Sequence, residues 1–432
     1  MKKIVFIGAG SIIFVKNLIG DCMLTPSLRD SEFALLDIDG EKLALAEKML
    51  QNLNRNINEG RATVKAYHIQ SEALKDADYV INAIQVGGYP SILKDFEIPL
   101  KYGLKQTFGD TLGIGGIFRG LRTIPVILQI AREMEEVCPD AWLLNYTNPM
   151  AIVTGAAQKA TSIKTVGLCH SVQICARDLL AGLGMDGENV QYKIAGINHQ
   201  AWLLEVTQDG KDLYPEIRRR SALRLERHDD MVRYEIMKQF GYYVTESTQH
   251  SAEYLPYFIK DKYPELLEQY GIRTLMYREW EHEHKEYWER TKKELIDSGE
   301  ISHTRTQEFA SYILEAMETG KLYKIAANVQ NHGYITNLPE NSCVEVPCMV
   351  DASGISPCFA GALPPQCAAL NQTNINVQNL TIEAALTGCK RHIYHAAMLD
   401  PHTASELSLE DITGMCDELV EANRMWLTNI EI

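Results

Sequence analysis

Residues 1–88 alternate short apolar runs with amphipathic segments. Lys3–Ile7 is an apolar, β-branched run that ends on Gly8-Ala9-Gly10-Ser11, and Phe14, Leu18 and Ile19 follow at helical spacing. A second run, Phe33–Leu36, ends in Asp37-Ile38-Asp39. A helical pattern spans Lys42 to Asn54, a short strand Thr63–His68, and a short helix Glu72–Asp76. Tyr79–Val86 is mostly apolar, with Asn82 and Gln85 in it, and reads as a buried strand that stops at Gly87-Gly88. Apolar runs separated by helical segments predict a Rossmann-type, doubly wound parallel sheet, whose ligands lie at the carboxyl ends of the strands.

The pattern then loosens. Residues 90–120 are glycine-rich and predict an irregular loop over the substrate, with Asp110 and Thr111 in it. A long helix is expected from Ile117 to Glu136, with Arg119 and Arg122 facing an anionic group or, the preferred reading, solvent or a structural partner. Three further strand ends carry polar clusters: Ala141–Tyr146 into Thr147-Asn148-Pro149-Met150, Lys164–Leu168 into Cys169-His170-Ser171, and Val190–Ile197 into Asn198-His199. All three clusters are expected at one edge of the sheet. Beyond them come a strand Trp202–Val206, a basic helix Arg218–Arg227, and a polar helical stretch 264–320 whose Trp280–Lys285 face, with His282 and His284, reads as solvated. A hairpin from Gly333–Pro339 into Cys343–Val346 and helices 363–398 and 406–428 close the chain. The expected division is a nucleotide-binding part, residues 1–200, and an interleaved α+β part, residues 201–432, for substrate and oligomer contacts.

Composition narrows the class. The 432 residues are 46% hydrophobic and 23% charged, as in a globular protein. A net charge of −15 opposes binding to nucleic acid or to an acidic membrane. No leader pattern and no apolar run of membrane-spanning length is read in the sequence, so a cytoplasmic location is expected. Ten cysteines at irregular spacing do not form a disulfide framework, and most read as small buried hydrophobes.

The candidate chemistry starts at the first turn. In Gly8-Ala9-Gly10-Ser11 the glycines let the backbone approach a pyrophosphate, which the next helix N-terminus would hold. The third glycine of the dinucleotide fingerprint is absent, since position 13 is Ile. Asp37 or Asp39, at the end of the second strand, can accept hydrogen bonds from an adenosine ribose; the plain alternative is a helix cap. Cys169 and His199 lack the second Cys or His of a closed zinc site. They suit an open site completed by water and sugar hydroxyls. The thiolate favours zinc or iron, and substrate oxygens favour manganese or magnesium. The segment Tyr242–Phe258 is dense in proton-moving groups, with Glu246, His250, Glu253 and Tyr254.

Taken in order, Gly8-Ala9-Gly10-Ser11, Asp37-Ile38-Asp39, Asn145-Tyr146-Thr147-Asn148-Pro149-Met150, Gly167-Leu168-Cys169-His170-Ser171 and Gly196-Ile197-Asn198-His199 resemble glycoside hydrolase family four, the NAD- and manganese-dependent glycosidases. Asn337-Leu338-Pro339, Val344-Glu345-Val346 and Leu399-Asp400-Pro401 extend the match to the C-terminus. The similarity is closest to the melibiase type of bacterial α-galactosidase, whose metal-site cysteine is also followed by His-Ser. The resemblance implies a lactate/malate dehydrogenase-like fold and a route without the usual carboxylate pair. In it NAD+ oxidises C3, a metal on the C2 and C3 oxygens stabilises an enolate, a base takes the C2 proton, the C1 substituent leaves, water adds and the hydride returns.

The same resemblance implies residue roles. Cys169 and His199 would be metal ligands, Asn148 would hold the sugar, and Asp110 would lie in the substrate loop. Tyr254 would be the C2 base, with His250 and Glu253 as rivals. Arg278 would bind sugar hydroxyls or assist the base. His170 stands where α-glucosidase members carry an aspartate as leaving-group acid. The expected enzyme is an α-galactosidase using NAD+ and Mn2+ or another divalent metal, as a homodimer or homotetramer. The alternatives are an α-galacturonidase or α-glucosidase of the same family, a 2-hydroxy acid dehydrogenase of lactate/malate type, or a non-enzymatic NAD sensor.

Overall fold

The structure, a computed structural model, describes residues 1–278, 288, 290, 292–297 and 300–430; the Trp280–Lys285 face lies outside them. A single sheet of 13 strands carries the fold. Its parallel half runs β3 (Thr63–Tyr67), β2 (Glu32–Leu36), β1 (Lys3–Ile7), β4 (Tyr79–Asn82), β5 (Trp142–Asn145), β6 (Lys164–Gly167). This 3-2-1-4-5-6 order is that of dinucleotide-binding folds. The central strands are short and apolar because helices cover both faces: Ile4, Val5, Phe6, Val80, Ile81, Leu143 and Leu144 are all fully buried. Helix α1 (Ile12–Leu24) buries Ile12, Val15, Leu18 and Ile19 on that sheet, and α2 (Gly40–Asn58) starts at Asp39, whose carboxylate accepts the N–H groups of Glu41 and Lys42.

The other half is antiparallel. Next to β6 lie β11 (Tyr323–Gln330), β12 (Cys343–Asp351), β7 (Val190–Ile197), β8 (Gln200–Gln208) and β10 (Tyr243–Val244), with β9 (Lys211–Asp212) on β8 and β13 (Gly354–Pro357) on β12. The halves meet at one paired position, Gly167 with Asn328, and inside the antiparallel half β12 meets β7 at one position, Glu345 with Gly196. A Cβ on Gly167 would lie 2.9 Å from Asn328 Cβ, and one on Gly196 would lie 2.6 Å from Ala201 Cα. Gly167 thus leaves room for the buried Asn328, and Gly196 for the close return of the chain at Gln200 and Ala201.

Several expectations change. Residues 90–101 are not loop: a helix spans Gly88–Lys101 after Gly87 turns the chain at φ 89°. The long helix starts earlier, at Gly113, and runs to Val137. By length and composition it is apolar enough to cross a membrane, which the sequence reading overlooked; it is instead a core helix, with 78% of its most apolar window buried. The C-terminal hairpin is β11–β12, so Gly333–Pro339 forms its loop and not its first strand. The helix expected over 363–398 is two, Pro365–Thr387 and Lys390–Leu399, because Gly388 sits at φ 73° against the Asn429 carbonyl. Strand β7 is antiparallel to β12, so His199 arrives on a tight β7–β8 hairpin and not on a further parallel strand end.

Candidate active site

The first turn has the shape a dinucleotide needs. Gly8 has φ 95°, and a Cβ there would lie 2.4 Å from the Ala83 carbonyl oxygen. Its N–H and that of Ala9 bond the Leu36 carbonyl at 2.9 and 3.2 Å. Gly10 N–H donates to Asp37 Oδ2 at 2.6 Å, so Asp37 faces the turn. Ser11 follows as the exposed residue before α1 and makes no side-chain cap bond, which leaves the N–H groups of the first helical turn for a phosphate. Asp39 has the other job: it caps α2 and pairs with Lys42 at 3.7 Å. Ile12 and Val15, not Ile13, are the buried residues of this turn, so position 13 does not need glycine for helix–sheet packing.

Beside this turn opens a cavity of about 370 Å³ whose lining includes Phe14, Asp110, Arg119, Tyr146, Asn148 and His170. It contains four residues that the sequence reading singled out: Asp110, Asn148, His170 and Arg119. Arg119 faces this cavity beside a carboxylate, so of its expected surroundings it takes the anionic group and not solvent. Its guanidinium lies 3.6 Å from Asp110 Oδ2 and donates to the Asn148 carbonyl at 3.2 Å. Arg122 has the expected structural partner, a fully buried ion pair with Asp95 at 2.5 Å.

Cys169, His199 and Glu246 come together with their ligand atoms all within 4.8 Å of one another. The register explains the third member. Thr245 N–H bonds the Ala201 carbonyl at 2.8 Å, so Glu246 falls one step further, beside Gln200 and His199. His199 and Glu246 both have left-handed backbones, φ 62° and 72°, a strained conformation that clusters at functional sites. A cation fits this group. His199 Nδ1 is buried without a hydrogen-bond partner, and burial lowers the ring's pKa to about 4 against the pull of Glu246, which keeps a nitrogen lone pair available. Burial, helped by the Glu345 and Glu246 carboxyls, pushes the Cys169 thiol up to about 12; a divalent ion is the charge that would reverse this. Sequence reasoning grouped Glu246 only with proton-moving residues and missed it as a ligand. Its sole signal was its place just after a short strand.

A chain of charge links the cluster to the cavity. His250 Nδ1 lies 3.3 Å from Glu246 Oε1, and its Nε2 lies 3.1 Å from Asp110 Oδ1. Burial opposes the charged ring, yet these two carboxylates raise His250 to about 10. Burial likewise opposes Asp110, but the His250 hydrogen bond and the Arg119 charge hold it at about 2. Phe108 stacks on His250 at 4.3 Å. With both nitrogens occupied, His250 has no position from which to take a substrate proton. Glu253 is occupied as well: its buried carboxyl accepts the N–H groups of Thr107 and Gly109 and holds the 106–110 loop. Tyr254 is 1% exposed, 6.2 Å ring to ring from His199, and burial raises its hydroxyl well above the usual range. Arg278 is exposed against Tyr277, with its Nε 3.2 Å from that hydroxyl, and is not brought to the cavity.

Behind Cys169, Glu345 is fully buried, accepts one amide proton from Asn328 at 2.9 Å, and leaves Oε2 without a partner. Burial raises it to about 8. An unfolded glutamate titrates near 4.3, so the folded chain binds the extra proton between these values, and stability falls as pH rises through that window. The slope reaches about 1.4 kcal/mol per pH unit for one proton. Glu345→Gln is expected to flatten this slope and to melt higher than wild type at pH above 8. Thermal melts with chelator across pH 5–9 check it; parallel profiles for the two proteins would contradict it.

The fold and the site define an NAD-type nucleotide-binding enzyme with an open thiolate–imidazole–carboxylate group that could hold a metal ion. Residues 3–185 match the family 4 glycosyl hydrolases and residues 194–403 match the C-terminal domain of the same family. The chain belongs to this family. Over 429 residues, 99% of both chains, it is 56% identical to an α-galactosidase of Bacillus subtilis (strain 168). It is 37% identical to an α-galactosidase of Rhizobium meliloti (strain 1021), covering 98% of this chain and 89% of that one. A 6-phospho-β-glucosidase from Thermotoga maritima, solved with manganese, NAD+ and glucose-6-phosphate, superposes with a TM-score of 0.81 at 25% identity over 99% of both chains.

Proposed function

We propose that the protein is an α-galactosidase that works with NAD+ and a divalent metal, Mn2+ in the first instance, on small α-galactosides of melibiose type in the cytoplasm. The observation that carries the reading is the continuity of the site. Asp110 lines the cavity beside the glycine turn and reaches Glu246 of the metal cluster through His250. Full-length identity to α-galactosidases gives the substrate.

Gly8, Gly10, Ser11 and Asp37 would hold NAD+, and Cys169, His199 and Glu246 would hold the cation. When bound, NAD+ supplies a reversible oxidant and the cation supplies Lewis acidity at neighbouring hydroxyl oxygens. The chain's own residues do the rest. The Asn148 amide, 3.4 Å from Asp110 Oδ2, and the ionised Asp110 present a donor and an acceptor to sugar hydroxyls. Tyr254, as the phenolate that the charge of a bound cation would favour against burial, takes the C2 proton, and His170, as the imidazolium, gives a proton to the leaving oxygen. Phe14 and Tyr146, in edge contact at 5.0 Å, wall the cavity against water. Arg119 is the one arginine or lysine of the lining and is already paired with Asp110. Among the described residues no second arginine or lysine lines the cavity for a uronate or a sugar phosphate, which favours a neutral galactoside.

Hydrolysis of p-nitrophenyl α-galactoside, with Mn2+, NAD+ and reductant each added or withheld, tests the reading. Removing either the metal or NAD+ is expected to cut turnover at least about 100-fold, with no net accumulation of NADH in the complete mixture. Activity that survives removal of both would overturn it, and net NADH accumulation would favour a dehydrogenase.

A further inference from the structure

Residues 303–308 run across α1 before entering the helix Phe309–Thr319. They are fastened to one buried acid. Asp21 accepts from Thr306 N–H at 2.7 Å and from the Thr306 hydroxyl at 2.5 Å, and lies 2.7 Å from His303 Nε2. The His303 and Asp21 side chains are 2% and 0% exposed. Position 20 must be glycine for this packing, since a Cβ there would lie 2.7 Å from the His303 ring. Thr306 Oγ1 in turn accepts the Glu308 N–H at 3.1 Å. The strap ends with Glu308 Oε2 at 2.6 Å from His170 Nε2. Phe14, Tyr146 and Phe309 flank the half-exposed His170 ring at centroid distances of 5.6–6.0 Å.

We infer that Glu308 is a positioning residue for the hydrolysis, and that it holds the His170 ring so that Nδ1 is the nitrogen presented to the cavity. A carboxylate at Nε2 fixes both the orientation of the ring and the nitrogen that is occupied. The inference rests on the reading of His170 as leaving-group acid. In that step the C1–O bond breaks with its electron pair going to the leaving oxygen, which takes one proton from Nδ1. The Tyr254 phenolate gains one proton from C2, and the electrons of that C–H bond become the C1–C2 double bond. On hydration the water's hydroxyl goes to C1, its proton restores His170, and Tyr254 returns its proton to C2. Without Glu308 the ring keeps its aromatic neighbours but loses its register to the leaving oxygen.

The experiment compares wild type, Glu308→Gln, His170→Asn and the double variant on two substrates. Methyl α-galactoside has a basic leaving oxygen and needs the acid; p-nitrophenyl α-galactoside does not. Glu308→Gln is expected to lower kcat for the methyl substrate by about 10- to 100-fold, to lower it less than about twofold for the aryl substrate, and to leave both KM values unchanged. The double variant is expected to be no worse than His170→Asn alone. Equal losses on the two substrates, or additive losses in the double variant, would show that Glu308 only supports the fold. A selective loss in His170→Asn with none in Glu308→Gln would overturn the inference and leave the proposed function standing. If His170→Asn shows no selectivity, the acid role of His170 falls and this inference falls with it, while the dependence on NAD+ and metal still tests the hydrolase reading separately.

Discussion

Cys169→Ser is expected to lower α-galactosidase turnover on the order of 10³-fold or more while NAD+ binding survives. The reason lies in the ligand set. A thiolate gives the cluster its softness, and a serine hydroxyl neither ionises in this buried pocket nor binds a divalent ion with similar strength. Burial, helped by Glu345 and Glu246, already presses the thiol toward its neutral form, so the site binds tightly only an ion whose charge offsets that environment. Losing Lewis-acid help at the sugar oxygens costs several kcal/mol of barrier. The glycine turn and Asp37 are on other strands and should keep their shape. Activity assays with Mn2+ titration, together with a thermal shift on adding NAD+, check both halves. Glu246→Gln in the same assay should raise the Mn2+ concentration needed for half activity, with much of the maximum recovered at saturation. Near-normal turnover of Cys169→Ser would remove the metal role of this residue.

The second large effect is expected at Tyr254. Tyr254→Phe deletes one oxygen from a residue that is 1% exposed, so the fold loses little. The loss should appear in kcat, by about 10²- to 10⁴-fold, the usual range for a positioned acid or base, with KM changed little. A sharper readout is the exchange of the sugar's C2 hydrogen with solvent deuterium, which this variant should lose. His250 and Glu253 are poor replacements, because the first is held between Glu246 and Asp110 and the second is bound to two backbone N–H groups. Retention of C2 exchange in Tyr254→Phe would move the base role elsewhere.

Much of the candidate site is legible in the sequence. Gly8, Asp37, Asn148, Cys169 and His170 sit at the ends of strands that a local pattern reveals, because short apolar runs between amphipathic segments leave few other parallel arrangements. Arg119, Glu246 and Glu308 were read differently or not at all. Arg119 looked like a helix surface residue, yet its helix is buried in the core and its first turns face the cavity. Glu246 needed the β8–β10 pairing, which spans some forty residues of sequence. Glu308 needed a strap anchored on Asp21, 287 positions away from it in the chain. The same blindness affected Asp39, where a helix cap and a ribose acceptor have the same sequence appearance and only the Lys42 side of the turn separates them.

The sequence by itself determined the nucleotide-binding half, the class of cofactor its first turn accepts, and the residues that resemble a family of metal-dependent glycosidases. These depend on periodicity and turn chemistry, which act over a few residues. Only the tertiary structure decided that β7 enters antiparallel, that Glu246 completes the group around His199, that Asp110 is wired to the metal cluster through His250, and that Glu308 grips His170. Those choices are set by which distant strands pair at Gly167–Asn328 and Glu345–Gly196. Non-local burial selects that pairing, and no pattern of neighbours along the chain encodes it.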